Sequence, residues 1–323
     1  MNDPPRRATD VGFCLDVDGT LHRSGSVFVE TLARLGYGGA LPLEAADRRH
    51  RRDVIGAVVE YGAGPESRRR WERIMWALDA VAGRGGEPLA AAAVSAIERG
   101  RTLLPDRPSD GDTTRRTSAH RADGDGGLDY RTMQRRALDA YGQVIEGRRR
   151  ETVERAASET VRAHVSTDPT VADTVERLQA AGATVCLVTD APAHAARAYA
   201  EQLTGDPDGV AATRYHVDDD DRYTGEYTIV DKEAAARRFR AAGDWQRLVA
   251  AGDSVVDLGM GAVADRFLAV AGEGGLLAAL DEPAGPDQPD CDVVRVERDE
   301  PLAPALWESL SAVADRAAPC GRN

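Results

Sequence analysis

Residues 12–21 are GFCLDVDGTL, an apolar run that ends abruptly at two aspartates and a glycine. The residues from Val11 to Leu15 are typical of a fully buried strand. Because side chains alternate along a strand with a period of two, Asp16 and Asp18 should point to the same side. The stretch therefore predicts two carboxylates at the carboxyl end of a core strand, which is the edge where open α/β sheets bind ligands.

Two interpretations of this acidic pair stay open on these residues alone. Like charges this close resist joint ionisation unless a cation or a proton is shared between them, which favours a metal site with a reactive role for one carboxylate. The other interpretation is an ordinary strand followed by an Asp-Gly turn, which is common in acidic proteins. Gly19 fits both, because it lets the backbone turn and exposes its N–H to whatever the carboxylates face.

The composition excludes some function classes. The chain has 41 basic and 54 acidic residues, and its net charge of −13 argues against a general binder of nucleic acid or anionic membranes. Only one of the basic residues is a lysine, Lys232. The abundance of Ala, Arg, Asp and Gly, with few aromatic residues, indicates a salt-adapted, halophilic protein whose acidity serves solubility.

The cysteines and the apolar stretches point to a cytoplasmic protein. Cys14, Cys186, Cys291 and Cys320 form no CxxC pair and have no metal-ligand spacing. No segment has the pattern of a signal peptide, and no apolar stretch reaches membrane-spanning length. We therefore predict a cytoplasmic location and no membrane partner, whereas the sequence does not define the oligomeric state.

Helical periodicity dominates the chain after the first strand. Residues 22–165 are expected to form one large helical insertion, within which residues 105–127 lack large apolar side chains and are predicted to be a disordered loop. From Asp168 onward strands alternate with helices, which is the pattern of βαβ units on a parallel sheet. The prediction is an α/β fold with a Rossmann-like core, residues 11–21 and 166–318, and a helical cap inserted after the first strand.

The boundaries of the predicted elements follow from the same patterns. Predicted helices lie at 27–35, 43–61, 66–81, 88–103, 130–146, 151–164, 169–181, 193–203, 232–242, 255–263 and 304–317. Predicted strands after the first lie at 184–188, 210–217, 223–229, 247–251, 267–270 and 293–296.

Polar residues follow two more of the predicted core strands. Thr189 and Asp190 come after the run VCLV, and a hydroxyl with backbone N–H groups at a helix start suits an anion. Thr189 is equally explained as a cap of the next helix. Asp253 follows the run LVAAG and should reach the same sheet edge as the first acidic pair. A third carboxylate there raises the need for a cation, and oxygen ligands of this kind suit Mg²⁺.

Two further residues, Asp257 and Lys232, have both a structural and a functional interpretation. Ser254 and Asp257 satisfy a capping-box pattern, so Asp257 alone has a structural explanation. Lys232 begins a predicted helix, where a lysine ordinarily lies on the surface. In a chain that uses arginine at every other basic position, one retained lysine favours a site that needs a compact ammonium.

These pieces, taken in order, resemble the four motifs of the haloacid dehalogenase (HAD) superfamily. The motifs are DVDGTL at 16–21, a strand that ends in Thr189, then Lys232, and finally GDSVVDLGM at 252–260. The resemblance is closest to phosphoserine-phosphatase-like members, and the stretch RYTGEY before Lys232 adds to it. The helical insertion after the first motif resembles the cap of that group, although it is larger here.

The resemblance implies a role for each motif residue. Asp16 would attack phosphorus to form an aspartyl-phosphate, and Asp18 would protonate the leaving oxygen and then deprotonate the hydrolytic water. The implied phosphate-binding residues are Gly19, Thr189, Asp190 and Lys232. The implied Mg²⁺ ligands are Asp16, Asp18 through its backbone carbonyl, and Asp253, with Asp257 in support through water or through Lys232.

The implied function is a Mg²⁺-dependent phosphomonoester hydrolase of a small soluble metabolite, with phosphoserine-like compounds among the candidates. The sequence Asp-Ala-Pro at 190–192 departs from the glycine-rich run of phosphoserine phosphatases, which concerns the substrate and not the reaction class. A closing helical lid would favour small substrates over phosphoproteins or nucleic acids.

The same motifs leave three alternatives to phosphomonoester hydrolysis. Phosphoryl transfer to an acceptor alcohol would use the same residues. A dehalogenase is disfavoured, because that chemistry needs neither a second acid/base at Asp18 nor a metal. A non-catalytic binding protein on the same scaffold is disfavoured by the complete motifs.

Overall fold

The structure, a computed structural model, describes residues 10–22, 130–165, 167–203, 207–271, 276–281, 289–297 and 300–316. The helices predicted at 27–103 and the loop predicted at 105–127 lie outside these ranges. Contacts divide the chain into two compact units, residues 1–35 with 141–323 and residues 36–140. The boundaries of the helical cap, 22–165, stay a prediction.

The described strands form one sheet of seven. They are β1 (Val11–Leu15), β2 (Thr184–Pro192), β3 (Gly209–Val217), β4 (Tyr223–Thr228), β5 (Arg247–Gly252), β6 (Arg266–Val270) and β7 (Asp292–Val296). Their order is β4-β3-β2-β1-β5-β6-β7, and β4 pairs antiparallel while the other pairs are parallel. The first strand of the chain therefore lies in the middle of the sheet.

Except for one short helix near residue 280, the described helices follow the predicted order. They are α1 (Tyr130–Ile145), α2 (Arg150–His164), α3 (Pro169–Ala180), α4 (Ala193–Ala200), α5 (Lys232–Ala242), α6 (Leu258–Gly261), α7 (Leu276–Asp281) and α8 (Leu302–Arg316). Of the helices that the structure describes, none combines the length and the apolar character needed to cross a membrane.

Alternate residues of β1 enter different layers of the core. Phe13 and Leu15 belong to a buried cluster with residues of α3, α4 and α8. Cys14 belongs to a second cluster with residues of α5, α6 and α7. The sheet thus lies between two helical layers, because a strand with a period of two can supply apolar side chains to both. This arrangement confirms the predicted α/β fold with a mostly parallel core sheet.

Local structure departs from the sequence prediction in three places. The helix predicted at 255–263 is a 3₁₀ turn, Val255–Asp257, followed by the short helix α6, because a capping box between Ser254 and Asp257 tightens its start. Helix α7 has no predicted counterpart, since its six residues are too few to show a helical period. Strand β2 continues past its predicted end to Pro192, and its pairing with β3 shifts in register after Thr189.

Candidate active site

The candidate site lies at the carboxyl ends of the central strands β2, β1 and β5. The pairing of these strands sets Leu15 of β1 beside Leu187 and Ala251. Asp16 follows directly, and its backbone N–H donates to the carbonyl of Ala251 at 3.0 Å. The residues that follow each strand therefore start from one sheet edge, which is where parallel sheets bind ligands.

Lys232 connects the acidic residues of this edge. Its ammonium donates to Asp16 Oδ1 at 2.8 Å and to Asp257 Oδ1 at 2.6 Å. Asp190 Oδ2 lies 3.3 Å from the same nitrogen. The lysine side chain is 5% exposed, so the three carboxylates replace water around a buried charge. The structure thus brings the single lysine of the chain together with residues of the three other motifs.

Helix α5 presents Lys232 from its first turn. The Asp231 side chain caps the helix by accepting from the N–H of Ala234 at 3.0 Å. Ala235 and Ala236 are buried in the cluster that contains Cys14 of β1. Their small side chains let the helix approach the sheet, and the lysine stem starts from a capped helix end beside the acidic edge.

Asp257 has a structural contact and a site contact at once. Its Oδ2 accepts from the backbone N–H of Asp253 at 3.1 Å, from that of Ser254 at 2.9 Å, and from the Ser254 hydroxyl at 2.7 Å. Its Oδ1 accepts from Lys232. The capping-box explanation is confirmed, and the same carboxylate also joins the loop after β5 to the ammonium.

Asp16, Asp253 and Asp257 form a buried acidic cluster. One carboxylate oxygen of each lies within 4.8 Å of those of the other two. Burial raises the pKa of the Asp16 carboxyl well above its usual range, Lys232 opposes this, and Asp257 and Asp253 add to it. Burial also raises the pKa of Asp253 to about 8, with Asp257 adding to the effect.

The neighbouring carboxylates also change the pKa of Lys232. Burial by itself lowers the pKa of the Lys232 ammonium, but Asp16, Asp190 and Asp257 together raise it well above its usual value. Carboxylates outnumber cations around Lys232, since Asp16, Asp190 and Asp257 all lie close to one ammonium. A divalent cation would remove this imbalance, and its preferred ligands are oxygens of this kind. The donor set therefore fits a hard divalent cation.

Gly19 allows Asp253 to approach the first motif. Its φ angle is +79°, in the left-handed region that residues with a Cβ atom rarely adopt. A Cβ atom added at this position would lie 2.1 Å from Asp253 Oδ2. Both the backbone and the neighbouring carboxylate therefore require glycine here.

We expect Gly19→Ala to reduce the stability of the protein and also the gain in stability that added Mg²⁺ produces. The left-handed backbone should cost about 1–2 kcal/mol of the free energy of unfolding, and displacement of the Asp253 carboxylate should weaken metal binding in addition. Gly147→Ala is a matched control, because Gly147 has φ +72° but no atom within 4 Å of an added Cβ. Urea unfolding with and without Mg²⁺ measures both effects. Equal losses and equal Mg²⁺ responses in the two variants would refute a role for the contact with Asp253.

Asp18 and Thr189 lie outside the three-carboxylate cluster. Asp18 is half-buried and close enough to Asp253 to contribute to the raised pKa of that carboxyl. Thr189 is 1% exposed, and its hydroxyl accepts from the N–H of Ala191 at 3.2 Å. A hydroxyl that accepts this bond still has its own hydrogen to donate. The catalytic and ligand-binding roles of both residues stay predictions.

Two buried polar side chains, Thr20 and His194, were not among the predicted site residues. Thr20 donates from its hydroxyl to Asp16 Oδ2 at 3.4 Å, and its place in the first motif was the available signal. His194, at the start of α4, contacts the hydroxyl of Tyr141 through Nε2 and that of Tyr223 through Nδ1. Burial, with Arg197 adding to it, lowers the pKa of His194 to about 3, so the imidazole is neutral near pH 7. No local pattern indicates this group, because its partners are 53 and 29 residues away.

Solved structures to which this chain is similar include a phosphoserine phosphatase and a probable phosphoserine phosphatase. The phospho-aspartyl intermediate analogue of phosphoserine phosphatase is 14% identical, covers 93% of this chain and 98% of its own, and has a TM-score of 0.48. A probable phosphoserine phosphatase from Vibrio cholerae, in an unliganded form, is 14% identical, with 98% of this chain and 69% of that chain covered and a TM-score of 0.47.

A protein of unknown function from Bordetella pertussis Tohama I is similar at the same level. It is 16% identical, with 88% of this chain and 97% of that chain covered, and its TM-score is 0.49. A search of curated proteins found no match.

The family comparison covers most of the chain and includes all four motifs. The model of the haloacid dehalogenase-like hydrolases matches residues 12–265. This range extends from the first strand to beyond Asp257, so every residue of the acidic cluster lies within it. The chain belongs to the haloacid dehalogenase-like hydrolase family.

Proposed function

We propose that this chain is a Mg²⁺-dependent phosphomonoester hydrolase that acts on a small soluble metabolite. One observation carries the proposal: a buried lysine and three buried carboxylates lie close together at the ligand-binding edge of the sheet. They are Lys232, Asp16, Asp253 and Asp257. Three carboxylates supply oxygen ligands for a cation, and one ammonium supplies positive charge for phosphoryl oxygens. Membership of a hydrolase family supports the reaction class.

Asp16 is the nucleophile in this proposal. Its Oδ1 is held by Lys232 at 2.8 Å, whereas its Oδ2 has the longer contact with Thr20 at 3.4 Å and is the freer oxygen for attack. Attack on phosphorus forms an aspartyl-phosphate and expels the alcohol oxygen, which Asp18 protonates. Asp18 then takes a proton from the water that cleaves the aspartyl-phosphate.

The remaining site residues bind and neutralise the phosphoryl group. In this proposal Lys232, the Thr189 hydroxyl and the backbone N–H of Asp190 hold phosphoryl oxygens. The N–H of Gly19 donates to the carbonyl of His22 at 3.1 Å and would have to exchange that bond to bind one. Mg²⁺, when bound by Asp16, Asp253 and the Asp18 carbonyl with Asp257 in support, supplies positive charge that offsets the charges of nucleophile and substrate. Phosphoserine-like compounds and sugar phosphates are the candidate substrates. A cytoplasmic location and the absence of nucleic-acid and membrane partners stay predictions from the composition.

A phosphate-release screen at high salt tests this function. We expect Mg²⁺-dependent release from one or more compact phosphomonoesters, little release from folded phosphoproteins, and loss of activity when EDTA removes the metal. Added alcohols should not divert phosphate into new esters, which separates hydrolysis from phosphoryl transfer. Activity that is indifferent to EDTA, or a preference for macromolecular substrates, would contradict the proposal. Silence across the panel would favour a non-catalytic binding protein.

A further inference from the structure

Three carboxylate oxygens surround the Lys232 ammonium at short distances. Asp257 Oδ1, Asp16 Oδ1 and Asp190 Oδ2 lie 2.6, 2.8 and 3.3 Å from Nζ. An ammonium has three N–H donors, of which Asp16 and Asp257 accept two, and Asp190 is an ion-pair partner of the same nitrogen. A phosphoryl oxygen that approaches Lys232 therefore competes with the Asp190 carboxylate for the ammonium.

Asp190 is the carboxylate that can leave with the least rearrangement. Its contact is the longest of the three, and its side chain is 15% exposed, compared with 4% for Asp16 and 0% for Asp257. Asp257 is also held by three bonds from Asp253 and Ser254. Around Asp190, by contrast, the pairing of β2 with β3 shifts in register, so no regular ladder fixes the backbone.

We propose, resting on the phosphatase function above, that the Asp190 carboxylate holds the position on Lys232 that a phosphoryl oxygen needs and is displaced when the phosphoryl group binds. Until then the carboxylate keeps a buried ammonium paired, which matters because an uncompensated buried charge is strongly unfavourable. It also opposes the phosphoryl group by like-charge repulsion at short range. Asp190 is thus a positioning residue that limits the affinity of the site for phosphoryl groups, including the product phosphate.

Titration of inorganic phosphate into the Mg²⁺-loaded protein tests this directly. Isothermal titration calorimetry should give a Kd about tenfold lower for Asp190→Asn than for the wild type, since a contact to a charged group is weakened. The KM for a small phosphomonoester should fall by a similar factor without a rise in kcat. Asp190→Ala, which removes the carboxylate completely, should tighten phosphate binding at least as much.

Two control variants separate displacement from other effects of the substitution. Asp190→Glu keeps a carboxylate and should bind phosphate within about threefold of the wild type, because a carboxylate still competes for the ammonium. Asp173→Asn removes the same charge from an exposed position on α3 and should leave the Kd unchanged.

The outcomes distinguish this proposal from the proposed function. Unchanged, weaker or absent phosphate binding in both Asp190→Asn and Asp190→Ala would overturn the role of Asp190, and weaker binding with a lower unfolding midpoint is what a purely structural residue would give. A wild type that hydrolyses no ester refutes the phosphatase function. The phosphate titration still decides about Asp190 in that case, because it needs no turnover.

Discussion

Asp16→Asn should lower phosphate release by a factor on the order of 10⁴ or more while the protein stays folded. The amide cannot attack phosphorus, but its oxygen can still accept from Lys232, which lies 2.8 Å from Asp16 Oδ1. The variant also removes one charge from a buried acidic cluster, so the thermal unfolding midpoint without Mg²⁺ should be unchanged or higher. Phosphate-release kinetics and thermal unfolding on the same preparation measure both effects.

A comparison of Asp18→Asn with Asp16→Asn distinguishes the role of the nucleophile from that of the general acid and base. With p-nitrophenyl phosphate, whose leaving group needs little protonation, Asp18→Asn should release a burst of about one equivalent of nitrophenol and then slow, because the aspartyl-phosphate accumulates. Asp16→Asn should give no burst. Mg²⁺ should raise the unfolding midpoint of the wild type more than that of Asp16→Asn, since a ligand oxygen is replaced by a neutral one. Substantial turnover by Asp16→Asn at saturating Mg²⁺ would contradict the mechanism.

The strand ends of the site were predictable because local patterns define them. The apolar run before Asp16 and the one before Asp253 each fit a buried strand, and the structure has β1 and β5 at those positions. That these strands are neighbours does not follow from the pattern of either. The order of strands across a sheet depends on contacts between parts of the chain that are distant in sequence. The resemblance to the family supplied what periodicity could not.

Contacts between side chains that are far apart in the sequence could not be predicted from local patterns. Lys232 was identified from composition, yet its contact with Asp257 joins residues 25 apart, and its contact with Asp16 joins residues 216 apart. Asp190 and Lys232 were both predicted to bind phosphate, but the ion pair between their side chains was not predicted. The contacts of His194 with two tyrosines were not predicted either, because these partners belong to α1 and β4 and lie 53 and 29 residues away in the sequence.

Lys232→Arg should reduce kcat by a factor on the order of 10²–10³, although the charge is retained. The ammonium nitrogen lies within 3.3 Å of three carboxylates in a side chain that is 5% exposed. A planar guanidinium spreads its charge over three nitrogens and is larger, so it cannot bring one nitrogen to all three acids without displacing α5. Lys232→Met should lower the free energy of unfolding by about 3–5 kcal/mol relative to the wild type, because it leaves buried carboxylates without their cation.

Arg237→Lys provides the reverse exchange on the same helix. Arg237 is 62% exposed and pairs with Glu233 at 2.8 Å, an exposed contact of the i,i+4 type, so this change should alter stability by less than about 0.5 kcal/mol and leave kcat unchanged. Urea unfolding and steady-state kinetics at saturating Mg²⁺ compare the variants. If Lys232→Arg retained more than about half of the wild-type kcat, then a diffuse positive charge would suffice at this position. The compact ammonium would then not explain why this chain retains one lysine among its 41 basic residues.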